Sequence, residues 1–200
     1  MENDRVEGET IARAFRESIK TKERFLSKRN IALVIECAEA IAECFKAGGK
    51  LLIIGNGGSA ADAQHMAAEF VNRFEIERPP LPALALTTDT SNLTSIGNDY
   101  SFDQVFSKQV RALARENDIL LAISTSGSSE NIVKAVDAAK GAGIKTFALT
   151  GKDGGKLVDK ADIVINIESK TTARIQETHI TVCHVLCELV DHILFQRVAK

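Results

Sequence analysis

Leu51-Leu-Ile-Ile54, then Gly55-Asn56-Gly57-Gly58-Ser59, then Ala60-Ala-Asp-Ala-Gln-His65-Met-Ala-Ala-Glu69-Phe-Val-Asn-Arg73 run on from one another in a chain of 200 residues. In that order they read as a buried strand, a tight turn and a helix. Four consecutive apolar residues suit a strand covered on both faces. Three glycines within four residues let the backbone turn sharply and approach a ligand closely. Ser59 is placed to cap the helix, whose free N–H groups then face the turn. The result is a backbone cradle for an anion or a sugar. His65, Glu69 and Arg73 follow at i, i+4 and i+8 and share one helix face.

Working outward, residues 1–9 read as a loose tail. Residues 10–47 carry apolar positions at helical spacing, broken near Ser27–Asn30 and ended by Gly48-Gly49. The first strand is set at about Lys50–Ile54. Arg78-Pro79-Pro80-Leu81-Pro82 holds all three prolines and is a rigid connection. Ala83–Leu86 reads as a short strand, Thr87–Asn98 as polar and open between a loop and a short helix, and Gly97-Asn98-Asp99 as a turn before a helical pattern over Phe102–Arg115. Further strands follow at Ile119–Ser124, Lys145–Thr150 and Ile163–Ile167. A helix runs from Glu130 to about Ala142, and a long closing helix over Thr171–Val198. Five apolar strands separated mostly by helices predict a parallel sheet with helices on both faces, in one domain spanning residues 1–200 with the α/β core over 50–200.

Hydrophobic content of 44%, charged content of 26% and a net charge of −2 describe a globular chain with no electrostatic case for nucleic acid or membrane. A polar N-terminus predicts no export signal. No uninterrupted apolar run has membrane-spanning length. Cys37, Cys44, Cys183 and Cys187 are then expected as reduced core thiols of a cytoplasmic protein.

Two groups could do chemistry. Ser124-Thr125-Ser126-Gly127-Ser128-Ser129 offers four serines, a threonine and a glycine at a helix start, more hydroxyls than a cap needs, and suits a phosphomonoester. It lacks the Gly-Lys-Ser/Thr ending of a nucleotide P-loop. Gly55-x-Gly57-x-x-Ala60 meets the loose dinucleotide fingerprint, but its expected acid, Glu75 or Glu77, precedes the prolines. The second group is His65 with Glu69. One turn apart, they can ligate one metal, form an acid/base pair, or be a solvated ion pair. The closing helix adds Gln176, Glu177, His179 and His184.

Gly55–Ser59, His65 with Glu69, Gly97-Asn98-Asp99, Ser124–Gly127 with Ser129, Thr150-Gly-Lys-Asp-Gly-Gly155, and Ala173-Arg-Ile-Gln176-Glu with His184 together resemble the SIS (sugar isomerase) family, and within it the phosphoheptose isomerases, over nearly the whole chain. The resemblance implies a three-layer, flavodoxin-like α/β fold with a long N-terminal helical region. It implies an aldose–ketose isomerase acting on sedoheptulose 7-phosphate at the first step toward the heptose of lipopolysaccharide or related glycans. It implies one zinc per subunit on His65, Glu69, Gln176 and His184, with Glu69 as base and His184 as partner acid. Glu69 cannot use one lone pair as ligand and as base at once. The implied substrate contacts are Asn56, Gly57, Gly58, Ser59, Glu69, Asn98, Asp99, Ser124, Thr125, Ser126, Ser129 and Gln176. Ser128 stands where many members carry Asn, and Ala173 where some carry Asp. A relative on this fold that associates with a bacterial replication initiator is a tetrameric binder without the acid/base pair, which this chain keeps. The N-terminal and closing helices carry spare apolar faces, so a homotetramer is expected. Gln176 and His184 lie ~12 Å apart along one helix, which places the site where subunits meet, with at least one group from a neighbour.

Overall fold

A computed structural model describes the backbone of residues 2–196 and the side chains of residues 6–196. Its centre is a five-stranded parallel sheet in the order β2-β1-β3-β4-β5, formed by β1 (Leu51–Gly55), β2 (Ala83–Ala85), β3 (Ile119–Ser124), β4 (Lys145–Gly151) and β5 (Ile163–Ile167). The continuous apolar runs exist because both faces are covered. Leu51, Ile53, Leu121, Ile123, Phe147 and Leu149 point to one side, packing on α2 (Lys28–Lys46), α3 (Gly58–Val71) and α7 (Thr172–Asp191). Leu52, Ile54, Leu120, Ala122 and Ala148 point to the other, toward α5 (Val105–Leu113) and α6 (Glu130–Gly141). Alternation along a pleated strand divides one apolar run between two cores.

Element ends differ from the sequence reading in four places. The stretch expected as a loose tail is helical: α1 covers Glu2–Phe25 and hands over to α2 through Ser27, whose hydroxyl accepts from Asn30 N. Thr90–Asp99 forms α4, N-capped by Asp89, so Gly97-Asn98-Asp99 is the last turn of a helix and not a free turn. Gly97 has no positive φ, which leaves nothing to force a turn there. Ser59 does not cap α3. Gly57 holds the cap position with φ 54°, and Ser59 is buried inside the first turn. Finally, α7 ends at Asp191 and gives way to a π-helical turn over His192–Gln196; the last part of the expected helix, 197–198, lies outside the described residues.

Thr172–Gln196 is long and apolar enough to cross a membrane by composition alone. Packing accounts for that composition. Ile175, Val182, Cys183, Leu186, Cys187 and Val190 are buried in the first core. All four cysteines are free and buried, and burial pushes the Cys37 and Cys44 thiols up to about 12.

Within α7, fully buried His179 donates through Nε2 to the Thr150 carbonyl at 2.9 Å and ties the helix to the end of β4. Burial pushes its pKa down from 6.5 to about 4, against the opposing pull of that carbonyl. Between those values the unfolded chain holds a proton that the folded chain does not, so stability falls as pH drops from 6.5 toward 4. The shift corresponds to about 3 kcal/mol. His179→Gln, which keeps a donor but cannot titrate, is expected to lose less stability than wild type over this window. Urea denaturation at pH 7 and pH 4.5 checks it; equal losses would contradict the assignment.

Candidate functional site

In an open sheet with the order 2-1-3-4-5, ligands bind beyond the carboxyl ends of the strands at the β1/β3 switch point. The glycine turn leaves β1 there and the serine turn leaves β3 there. A reciprocal amide pair joins them: Asn56 Nδ2 donates to Asn131 Oδ1 and Asn131 Nδ2 to Asn56 Oδ1, both at 2.9 Å. Asn131 is buried in the first turn of α6. The Asn56 side chain, expected to face substrate, is thus occupied in holding the two turns together. Asn131 was not singled out in the sequence, because a lone Asn after a serine run carries no distinguishing pattern.

The serine turn is braced from behind. Gly127 and Gly155 both have positive φ, and their backbones are so close that a Cβ on Gly127 would lie 1.9 Å from the Gly154 carbonyl. Ser124 Oγ accepts from Gly127 N, and Ser126 Oγ accepts from Ser128 N. Ser129 occupies the N-cap of α6, yet its side chain makes no cap bond. That leaves a hydroxyl beside the free N–H groups of the helix start. Thr125 sits half-buried between these serines.

Helix α3 carries the second group. His65 Nε2 lies 2.8 Å from His184 Nε2 and 3.4 Å from Glu69 Oε1. Phe74 stacks on the His184 ring at 5.6 Å between centroids. His184 reaches His65 within one chain, so these three residues need no neighbouring subunit. That corrects the expectation for the Glu69 and His184 pair: α3 and α7 lie side by side, and residues two turns apart on α7 meet residues two turns apart on α3. Gln176 occupies the other end of that contact. A Cβ on Gly58 would fall 1.8 Å from Gln176 Nε2, so a side chain at that position would displace the amide. Asp62 lies close by, its carboxyl pushed up by burial and held back by the nearby Gln176 amide and the His65 charge. Among the described residues one Asp62 oxygen has no hydrogen-bond partner. Asn98 bonds to its neighbour Asp99, and both are exposed at the end of α4. Arg73, expected on the His65–Glu69 face, lies beyond the end of α3 and pairs with Glu77. Asp89 caps α4.

The SIS-domain model matches residues 14–151. The phosphoheptose isomerase of Thermodesulfovibrio yellowstonii is 55% identical over 93% of this chain and 92% of its own length. The chain belongs to the phosphoheptose isomerase family of SIS-domain proteins. The Nitratidesulfovibrio vulgaris (strain Hildenborough) enzyme of that name is 57% identical over 84% of this chain and 81% of its own. The solved phosphoheptose isomerase of Neisseria gonorrhoeae superposes with a TM-score of 0.87 at 48% identity, covering 92% of this chain and 98% of that one.

The family resemblance implies zinc. Among the described residues no group of three or more His, Cys, Asp or Glu already has metal spacing. The donor chemistry nevertheless fits: two imidazole nitrogens and a carboxylate oxygen converge. Zn–N bonds of ~2.0–2.1 Å in a tetrahedral site set two nitrogens roughly 3.3 Å apart. The His65–His184 contact would open by about half an ångström to reach that.

The amide pair yields a direct expectation. Asn131→Ala leaves the Asn56 amide facing a partnerless space and should cost about 1–3 kcal/mol of unfolding free energy. Urea denaturation measures it; a loss within error of zero would mean water replaces the pair.

Proposed function

We propose that this chain interconverts sedoheptulose 7-phosphate and D-glycero-D-manno-heptose 7-phosphate, an aldose–ketose isomerisation. The observation that carries the reading is the convergence of His65, Glu69 and His184 at the α3–α7 contact, in a chain more than half identical to phosphoheptose isomerases. The phosphate is assigned to the start of α6, where the hydroxyls of Ser124, Ser126 and Ser129, with Thr125, surround free backbone N–H groups. Gly57, Gly58 and Ser59 offer the backbone of the second turn to the sugar. Asn98, Asp99 and Gln176 remain assigned as substrate contacts on the family resemblance.

Glu69 removes a proton from C1 of the ketose, and the C1–H pair becomes a C1–C2 double bond while the C2 oxygen takes up charge. His184 protonates that oxygen and collects the proton from the C1 hydroxyl. Glu69 then returns its proton to C2, and the C1 oxygen becomes the aldehyde carbonyl. Proton-transfer groups of this kind contribute ~10²–10⁴-fold. His65, Glu69 and His184, with Gln176 added on the family resemblance, would hold one zinc ion per subunit; Glu69 and His184 would be its ligands only while they are not transferring protons, and the ion would supply positive charge to an enediolate oxygen. We assign the reaction to the cytoplasm, at the entry to heptose synthesis for lipopolysaccharide or surface glycans; reduced core thiols agree with it.

Assembly into a homotetramer is part of the proposal. On α1, Ile11, Phe15 and Ile19 are 61%, 69% and 55% exposed and recur every four residues, so one apolar stripe faces outward. Ile31 and Ile35 on α2 and Val185 on α7 are also exposed. A second copy of the chain is the occupant that symmetric closure favours.

Glu69→Gln keeps shape and removes basicity. Its kcat for aldose phosphate formation should fall ~10²–10⁴-fold with KM little changed. An unchanged rate would remove Glu69 from the mechanism and favour a non-catalytic binder. Light scattering at micromolar concentration is expected to give a tetramer mass for wild type and a smaller one for Phe15→Glu with Ile19→Glu. A monomer mass for wild type would rule the assembly out.

A further inference from the structure

The proline-rich connection after α3 carries a side chain that the reaction above does not use. Arg78 is buried, with its side chain 1% exposed. Its Nε donates to Asp191 Oδ1 at 2.9 Å. Nη1 faces the carbonyls of Phe70, Asn72 and Pro79 at 2.6, 3.3 and 3.2 Å, and Nη2 donates to the Glu69 carbonyl at 2.9 Å. The backbone closes over the same place, since Leu81 N donates to the Phe70 carbonyl at 3.0 Å.

These contacts have a common geometry. The last carbonyls of a helix lack partners and form its negative end. Helix α3 has no basic residue in its own last turn, and Arg78 supplies the cation from the connection that follows. One of the capped carbonyls belongs to Glu69 itself. Asp191 is the last residue of α7, seven positions beyond His184 and therefore on nearly the same helix face. A single guanidinium thus joins the end of the helix carrying His65 and Glu69 to the end of the helix carrying His184. Among the described residues the second Asp191 oxygen is buried with no hydrogen-bond partner, so the pair is incompletely satisfied. Buried ion pairs are weak stabilisers, and their best-attested use is to fix register. Lysine could not replace this contact: the planar fork of arginine presents five donors in fixed directions.

We propose that Arg78 is a positioning residue for the isomerisation, fixing Glu69 against His184 by clamping the ends of α3 and α7 through the Glu69 carbonyl and Asp191. The proposal rests on the isomerase reading for its catalytic consequence. Misplacing a catalytic group by about 1 Å costs as much as ~10²-fold in rate. The phosphate turn lies on β3 and α6, away from the clamp, so substrate affinity is expected to survive.

The test uses Arg78→Lys and Asp191→Asn in the full-length protein, each checked for folding by circular dichroism and for assembly by light scattering. In folded variants kcat for sedoheptulose 7-phosphate should fall roughly 10- to 100-fold while KM moves less than about threefold. Wild-type kcat in either folded variant, or a loss carried by KM, overturns the proposal. If neither variant folds, Arg78 is a folding residue and the positioning role is also overturned. A second readout separates this from the isomerase reading, which fails if wild type itself does not turn over the sugar. In ¹⁵N-histidine spectra the His65–His184 contact should give Nε2 signals in wild type that shift in Arg78→Lys. Unchanged signals in the folded variant overturn the clamp whatever the substrate.

Discussion

The contact between α3 and α7 governs the site. Both helices lie on one face of the sheet and bury Met66, Phe70, Val182 and Leu186 in a shared core. That burial stabilises the fold, at ~1.5–3 kcal/mol for each large apolar side chain removed from water. It also decides which polar residues meet along the seam. Where the helices approach at one end, Gly58 makes room for Gln176. Two turns further on, His65 and Glu69 face His184. Asp62, between the two, has one oxygen with no hydrogen-bond partner among the described residues. The apolar part of the seam holds the polar part in place.

A second constraint acts across the sheet. Parallel strands deliver every β-to-α connection to one edge, and the turns after β1, β3 and β4 therefore crowd together. The crowding is resolved by backbone contact. Gly127 and Gly155 pack main chain on main chain with positive φ, and Asn56 and Asn131 exchange amide bonds. The start of α6 is thereby held rigidly beside the glycine turn, and its hydroxyls and N–H groups need little rearrangement to meet an anion. Preorganised donors of this kind keep their strength because nothing has to be ordered when charge arrives.

Charge outside the site is arranged in the same spirit. Asp118, nearly fully buried, takes the Lys50 and Arg115 backbone amides and the Lys50 ammonium where β1 and β3 begin. Asp162 does the corresponding work for Thr146 at the start of β4. The amino ends of the strands are closed by these carboxylates, and the carboxyl ends are left to the turns.

The sequence by itself determined the strands, their parallel arrangement and the two turns, since unbroken apolar runs bounded by Gly/Ser clusters have few other solutions. It also located His65 and Glu69 as a pair, because i, i+4 spacing is a local property of a helix. It misread residues 2–9, Gly97–Asp99 and the role of Ser59. In each case the deciding quantity was a backbone angle or a neighbouring helix, not a residue type. Only the tertiary structure decided that His184 meets His65 in the same chain, that Asn56 is spent on Asn131, and that Arg78 is a buried clamp. These are contacts between residues separated by 119, 75 and, for Arg78 with Asp191, 113 positions. No periodicity encodes such distances; they follow from how two helices and two turns settle on one sheet, which is fixed by packing.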